Sequence, residues 1–108
     1  MIKPSPANIW CVGRNYKEHA QELGNPVPQE PLFFLKAGSC VNTTPQITLP
    51  TWTSLIHYEC ELVLQLEADG TPSAIGLALD LTARDIQAEL KEKRSPWTLA
   101  KSFTGACP

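Results

Sequence analysis

Residues 56–93 read IHYECELVLQLEADGTPSAIGLALDLTARDIQAELKEK, and the patterning of this stretch decides the fold. Apolar and polar side chains alternate from Ile56 to Leu66, which predicts a β-strand with two chemically different faces. The segment 68–72 contains Asp, Gly and Pro and therefore predicts a turn. The run 74–81 is apolar except for one Asp, which favours a second strand buried on both faces. A fold rich in β-structure is expected around these two strands.

The flanking sequence predicts shorter elements. Thr82 followed by Asp85 has the spacing of a capping box, so a helix is expected from about residue 83 to residue 93. Seven of the ten prolines lie in the first fifty residues, which indicates long ordered loops there, because proline removes a backbone donor and restricts its predecessor. The remaining predicted elements are short strands at 9–12, 32–36 and 47–49, and a helix from about residue 16 to residue 23.

The composition argues against several classes of function. The net charge is −2, and no block of Lys or Arg supplies the basic surface that a nucleic-acid partner requires. No stretch reaches the roughly 18 apolar residues needed to cross a membrane. The four cysteines lack C-x-x-C spacing and the first residues lack an apolar leader, so we expect a cytoplasmic protein with reduced thiols. The 108 residues are enough for a single domain.

Three carboxylates are candidates for a metal site. Glu59 and Glu61 are two apart on the predicted strand, so they point the same way with Cα atoms about 6.5–7 Å apart. Carboxylates this close repel each other unless a cation neutralises them, and their oxygens suit a hard ion such as Mg²⁺. A solvated strand face is the alternative for this pair. Asp80 is either a helix cap or a buried ligand that completes a set of three.

A histidine paired with a glutamate is a candidate general base. His19 and Glu22 are three apart on the predicted helix, so their side chains can touch. Glu22 would then orient the imidazole and raise its basicity. The alternative is an incidental pair on a helix surface, since such pairs are common and weak.

Four further polar residues are candidates for substrate contacts. Arg84 and Gln87 lie in the first turns of the helix after Asp80, where an anionic ligand is favoured. Lys36 and Lys101 each lie at the edge of an apolar segment, where an ammonium group either snorkels to solvent or reaches inward. Neither lysine indicates a function by itself.

Five segments of the chain form a recognisable set. The most specific are E-x-E at 59–61, D-x-T-A-R-D-x-Q at 80–87 and L-x-K-S-F at 99–103. In this order they resemble the fumarylacetoacetate hydrolase family, and especially its small acylpyruvase and oxaloacetate decarboxylase branch. The other matching segments are Val12-Gly13-Arg14-Asn15-Tyr16 with His19 and Glu22, and Leu32-Phe33-Phe34-Leu35-Lys36.

The resemblance implies an α+β, mainly β fold, a mixed β-sandwich-like roll of the C-terminal-domain type of this family. Residues 1–108 resemble only the N-terminal half of that catalytic domain, so the roll is expected to be incomplete in this chain. Family members are usually dimeric. The resemblance therefore implies a homodimer or association with a missing C-terminal half.

The resemblance also implies a cofactor and a set of site residues. The cofactor is Mg²⁺ or Mn²⁺, and the substrate is a small 2-oxo acid. The implied roles are metal ligation by Glu59, Glu61 and Asp80, catalysis by His19, Glu22 and Lys101, and substrate binding by Arg14, Lys36, Arg84 and Gln87.

The leading hypothesis from the sequence is hydrolysis of a C–C bond in 3-acylpyruvates through a pyruvate enolate that a Mg²⁺ ion stabilises. His19, oriented by Glu22, would activate the attacking water. Oxaloacetate decarboxylation requires the same enolate stabilisation without a water, and isomerisation or hydration of a related 2-oxo acid is a third activity. A hypothesis of another class is a catalytically inactive fragment that serves as an interaction module.

Overall fold

The computed structural model describes residues 6–15, 24 and 29–108 of the chain. Strands supply most of the regular structure, in agreement with the α+β, mainly β fold expected from the sequence. The helices in this part of the chain are too short or too polar to span a bilayer. The described elements are, in chain order, β1 (Asn8–Gly13), β2 (Leu32–Ala37), a 3₁₀ turn (Gly38–Cys40), β3 (Ile56–Leu66), β4 (Pro72–Ala83), α1 (Arg84–Glu92) and α2 (Thr98–Lys101).

The antiparallel pair of β3 and β4 is the longest unit of the fold. The strand predicted over 56–66 is observed with these bounds, and the strand predicted over 74–81 extends at both ends. The turn between them depends on Gly70, whose φ of 84° is readily adopted only by glycine. The Asp69 carboxylate accepts hydrogen bonds from the Thr71 amide and hydroxyl, at 3.0 and 2.6 Å, and fixes this turn.

A second antiparallel pair is formed by β1 and β2. Its register runs from Asn8 opposite Ala37 to Gly13 opposite Leu32. Gly38 follows directly, and a Cβ atom at this position would lie 1.8 Å from the Pro6 carbonyl oxygen. Only glycine therefore allows the chain before β1 to pass so close to the end of β2.

The more apolar face of the β3–β4 pair is buried at the end that holds Leu81 and Ala83 and points outward toward the β3–β4 turn. Leu62 and Leu77 lie directly opposite each other and are 59% and 74% exposed. Glu59 and Glu61 belong to the other face, where both are partly buried. Tyr58, Leu64 and Ile75 are further exposed apolar residues on the outward face.

The apolar core lies where β4 meets the C-terminal segment. The Leu81 amide donates to the Ala106 carbonyl at 3.0 Å, and the Leu79 amide donates to the Pro108 carbonyl at 2.9 Å. These bonds hold residues 106–108 along β4 and close the core beside it. The buried core residues are Cys40, Leu81, Ala83, Phe103 and Ala106.

Three sequence predictions about local structure are wrong. The strand over 74–81 is not buried on both faces, because Ile75 and Leu77 are exposed. The segment 47–49 has no regular structure, because Pro45 and Pro50 flank it and proline cannot continue a strand ladder. Thr82 does not cap the next helix, which begins without a side-chain cap hydrogen bond. Thr82 instead lies inside β4. The helix predicted at 16–23 falls outside the described residues.

Asp85 ties the start of α1 to the loop before β3. Its carboxylate accepts hydrogen bonds from the Thr53 hydroxyl, the Ser54 amide at 2.9 Å and the Ile86 amide at 2.9 Å. These bonds, first that of Thr53, hold the pKa of Asp85 well below its usual range. The carboxylate therefore favours the folded state above the unfolded pKa of about 4, and this contribution disappears as the pH falls through the lower folded pKa.

The Asp85→Asn variant is expected to melt at a lower temperature than the wild type at pH 7. The difference should shrink as the pH falls below about 4, because the carboxylate of the unfolded wild-type chain then takes up a proton while the folded carboxylate stays ionised. Thermal unfolding between pH 7 and pH 3 measures this, with Glu89→Gln, an exposed carboxylate on the same helix, as the control. A melting difference that stays constant over this pH range would contradict the assignment.

Candidate active site

The pairing of β3 with β4 brings the three predicted metal ligands onto one face. Glu59 and Asp80 lie directly opposite each other, and Glu61 lies two residues farther along β3. Opposed residues of an antiparallel pair have Cα atoms roughly 4.5–5.5 Å apart, so these two carboxylates share one neighbourhood. The sequence pattern indicated a common face for Glu59 and Glu61 only.

Asp80 is buried between two ammonium groups. Lys36 Nζ lies 2.8 Å from Oδ1, and Lys101 Nζ donates to Oδ2 at 2.7 Å. Lys101 also donates to Thr82 Oγ1 at 2.6 Å and lies 3.6 Å from Glu59 Oε2. A buried carboxylate requires opposite charge and hydrogen-bond donors in place of its lost hydration, and these lysines supply them. Asp80 is therefore a buried anion of the site and not a helix cap.

Lys36 is one of the two cations beside Asp80. It is 1% exposed and donates to the carbonyls of Leu81, Lys101 and Ala106 at 2.9, 2.6 and 3.0 Å. An ammonium has three protons, so these bonds use all of them. Oδ1 of Asp80 receives the charge of Lys36 without a hydrogen bond, and it is a buried oxygen that no described donor satisfies. These contacts make Lys36 a positioning residue, and its predicted contact with substrate stays a prediction.

The donor set suits a hard divalent cation. Glu59, Glu61 and Asp80 offer carboxylate oxygens, which Mg²⁺ and Mn²⁺ prefer, and Oδ1 of Asp80 has a free lone pair in buried surroundings. Within the described ranges, no three acidic, histidine or cysteine side chains stand close enough together to hold an ion. The Lys101 ammonium occupies the place between Asp80 and Glu59. These three residues therefore have the donor atoms that a divalent cation prefers, and they lie on one face of the strand pair. Their oxygens do not converge on a single point.

Arg84 places a guanidinium group at the edge of this face. Its Nη1 donates to Gln87 Oε1 at 2.9 Å, and its Nε donates to His57 Nδ1 at 3.3 Å. Gln87 is 4% exposed, so its amide is fixed. His57 shares the face of Glu59 two residues away, and its Nδ1 must be unprotonated to accept this bond. The sequence patterns did not indicate His57, and they assigned Thr82 to a helix cap, although each lies two residues from a predicted ligand.

Three predicted site residues lie either outside this cluster or outside the residues that the structure describes. Arg14 directly follows β1, is exposed and borders a cavity of about 230 Å³. His19 and Glu22 fall outside the described residues, so their dyad stays a prediction. A larger groove of about 1030 Å³, lined mainly by residues between 39 and 52 and between 99 and 105, contains none of the predicted site residues.

The Lys36→Met variant is expected to lose about 3–5 kcal/mol of unfolding free energy, because it leaves buried Asp80 with one counter-charge fewer and three carbonyls without their donor. Denaturant unfolding of the 108-residue chain measures this loss. Lys93→Met, an exposed lysine after α1, is the control. An unfolding free energy within about 0.5 kcal/mol of the wild type would show that Lys36 does not hold the site together.

Comparison with known proteins shows the family to which this chain belongs. Residues 8–108 match the family described as fumarylacetoacetate (FAA) hydrolase C-terminal. Human mitochondrial oxaloacetate tautomerase is 43% identical over 112 residues, which cover 94% of this chain and 51% of that protein. Mitochondrial oxaloacetate decarboxylase from Dictyostelium discoideum is 42% identical over 112 residues, which cover 93% of this chain and 51% of that protein.

A solved structure shows the same fold. Fumarylpyruvate hydrolase from Pseudomonas aeruginosa, crystallised with Mn²⁺ and pyruvate, matches with a TM-score of 0.83 and 32% identity, covering 94% of this chain and 50% of that one. The chain thus spans about half the length of the relatives that it matches. The family match and these relatives confirm the resemblance read from the sequence motifs. The chain belongs to the fumarylacetoacetate hydrolase family, in the part that the C-terminal catalytic domain of that family defines.

Proposed function

We propose that this chain supplies a divalent-cation site for enol chemistry on a short 2-oxo acid, with keto–enol tautomerisation of oxaloacetate as the reaction. The observation that carries the proposal is the cross-strand pair of Glu59 and Asp80 with the Lys101 ammonium between them. The names of the human and Dictyostelium relatives support oxaloacetate as the substrate. The metal would be Mg²⁺ or Mn²⁺, and the Mn²⁺ complex of the Pseudomonas relative supports this choice.

The charges of the cluster suit a cation together with an anionic substrate. Three carboxylates and the two ammonium groups of Lys36 and Lys101 leave one net negative charge. A divalent cation would reverse that sign and prepare the site for a carboxylate-bearing substrate. When bound, the cation would supply Lewis-acid polarisation of the 2-oxo group.

Lys101 is suited to hold a developing negative charge on the substrate oxygen. Lys101 is 5% exposed, and its ammonium is fixed by bonds to Asp80 and Thr82 and by the Phe34 ring, whose centroid is 4.8 Å away. A cation held in place in dry surroundings needs no reorganisation as charge develops. Among the described residues, the third ammonium proton has the longer contact with Glu59, at 3.6 Å, and is the proton proposed to reach the substrate oxygen.

Tautomerisation also requires a group that moves the proton at C3. His19, oriented by Glu22, is the proposed base: its imidazole would take the C3 proton while the C–H electron pair shifts to form the enolate. A proton then returns to the C2 oxygen to give the enol. In the reverse direction the same imidazole returns the proton to C3.

Two related reactions compete with tautomerisation. Oxaloacetate decarboxylation needs the same stabilised enolate but breaks the bond to the distal carboxylate, and the Dictyostelium relative supports it as the second candidate. Hydrolysis of 3-acylpyruvates, the first hypothesis from the sequence, additionally needs an activated water.

The predicted association with another chain would cover the outward apolar face of β3–β4. This association stays a prediction, and so does the cytoplasmic location.

The test measures oxaloacetate chemistry by the 108-residue chain with Mg²⁺, with Mn²⁺ and with EDTA. Enol disappearance is followed by ultraviolet absorbance, pyruvate formation by a coupled assay, and acetylpyruvate cleavage in parallel. We expect enol conversion that requires the metal and exceeds pyruvate formation. Pyruvate as the main product would favour decarboxylation, and absence of metal-dependent turnover of either substrate would favour the non-catalytic module.

Glu61→Gln is the sharpest variant for this test, because Asp80 also holds two lysines whose loss would disturb folding. We expect Glu61→Gln to lower the metal-dependent rate about 100-fold or more, since the cation contributes several kcal/mol of charge stabilisation. Glu67→Gln, an exposed carboxylate at the β3–β4 turn, should leave the rate unchanged. Equal rates for both variants would show that these carboxylates take no part in the reaction.

A further inference from the structure

Lys91 makes an aromatic contact that its place near a helix end did not indicate. The sequence, with Lys91, Glu92, Lys93 and Arg94 in succession, predicts a solvated end of helix α1. In the structure the Lys91 ammonium lies over the Trp97 ring, 5.2 Å from its centroid. A cation–π contact of this kind restrains a long side chain that would otherwise sample many rotamers.

Trp97 connects Lys91 to the candidate active site. Its ring packs against Phe34 with centroids 5.9 Å apart, and the Lys101 ammonium lies over Phe34 at 4.8 Å. Two ammonium groups are therefore held on one aromatic pair, one at the carboxylate cluster and one beyond it. The aromatic pair forms an apolar stretch between the two cations.

The same face of α1 carries Arg84, Gln87 and Lys91, which are spaced by three and then four residues. Arg84 reaches His57 at the carboxylate edge, so Lys91 lies two turns farther along this face. Burial, and then the charges of Arg84, Arg14 and Lys101, lower the pKa of Lys91.

Ion pairs within the described part of the chain do not neutralise these cations. Among the described residues, no carboxylate lies within 4.0 Å of Arg14, Arg84 or Lys91. Like charges brought together without counter-ions destabilise a fold, and an anionic ligand removes that repulsion when it binds. The arrangement therefore favours a bound anion near Lys91, at the opposite end of the aromatic pair from Lys101.

We propose that Lys91, held on Trp97 near Arg84, binds the second carboxylate of the substrate and makes the site selective for 2-oxo dicarboxylic acids. This inference rests on the proposed function, since it assumes that the 2-oxo-carboxylate end lies at the Glu59–Asp80–Lys101 cluster. The distal carboxylate of oxaloacetate then extends along the aromatic pair toward the second ammonium. A 2-oxo monocarboxylic acid has no group for that position.

The test compares oxaloacetate with 2-oxobutanoate, in which a methyl group replaces the distal carboxylate. Proton exchange at C3 is followed by NMR with Mg²⁺ present, for the wild type and for Lys91→Met, which keeps the stem and loses the charge. We expect Lys91→Met to raise KM for oxaloacetate about five- to tenfold with kcat little changed, and to leave KM for 2-oxobutanoate unchanged. Lys91→Arg should restore most of the preference, and Lys93→Met is the matched control.

A binding measurement separates this inference from the reaction. The indole N–H resonance of Trp97 should shift when oxaloacetate is titrated into the wild type with Mg²⁺, and should stay in place with 2-oxobutanoate or in Lys91→Met. This shift supports the inference even if the chain shows no turnover, in which case only the proposed reaction fails. No shift with oxaloacetate, or equal changes in KM for both acids in Lys91→Met, would overturn it.

Discussion

The ammonium group of Lys36 donates hydrogen bonds to the carbonyls of Leu81, Lys101 and Ala106 and lies 2.8 Å from Asp80 Oδ1. These bonds join β2 to β4, to the end of α2 and to the C-terminal segment at one buried point. A charge is stable in such surroundings only when polar groups from the whole neighbourhood turn toward it. The position of Asp80, and with it the candidate site, depends on this arrangement.

This buried charge explains an interior that is unusually polar for so short a chain. Lys36, Asp80 and Lys101 are all buried, whereas large apolar residues such as Leu62 and Leu77 lie on the outward face of β3–β4. An anion held between two cations in low-dielectric surroundings interacts strongly with any further charge that enters. The burial of these charges costs folding free energy, and it also prepares the face of Glu59 and Asp80 for a cation and an anionic ligand.

The sequence predicted the parts that depend on local patterning. Alternation gave the strand 56–66 with the observed bounds, and the motifs identified the family that the comparisons confirm. The parts that failed depend on distant partners. The segment 47–49 pairs with no strand in the described part of the chain, and Thr82 accepts a hydrogen bond from Lys101 and does not cap the helix. No local signal distinguishes a lysine that snorkels from Lys36, whose bonds reach residues 45 to 70 positions away.

The most direct test of this account is a calorimetric titration of oxalate, which resembles a pyruvate enolate, into the 108-residue chain. The carboxylate face, supported by Lys36 and completed by Lys101, predicts that oxalate binds when Mg²⁺ is present and does not bind in EDTA. Equal binding in EDTA would mean that the lysines alone hold the anion. Absence of binding with Mg²⁺ would contradict the claim that this buried cluster prepares a metal-dependent site.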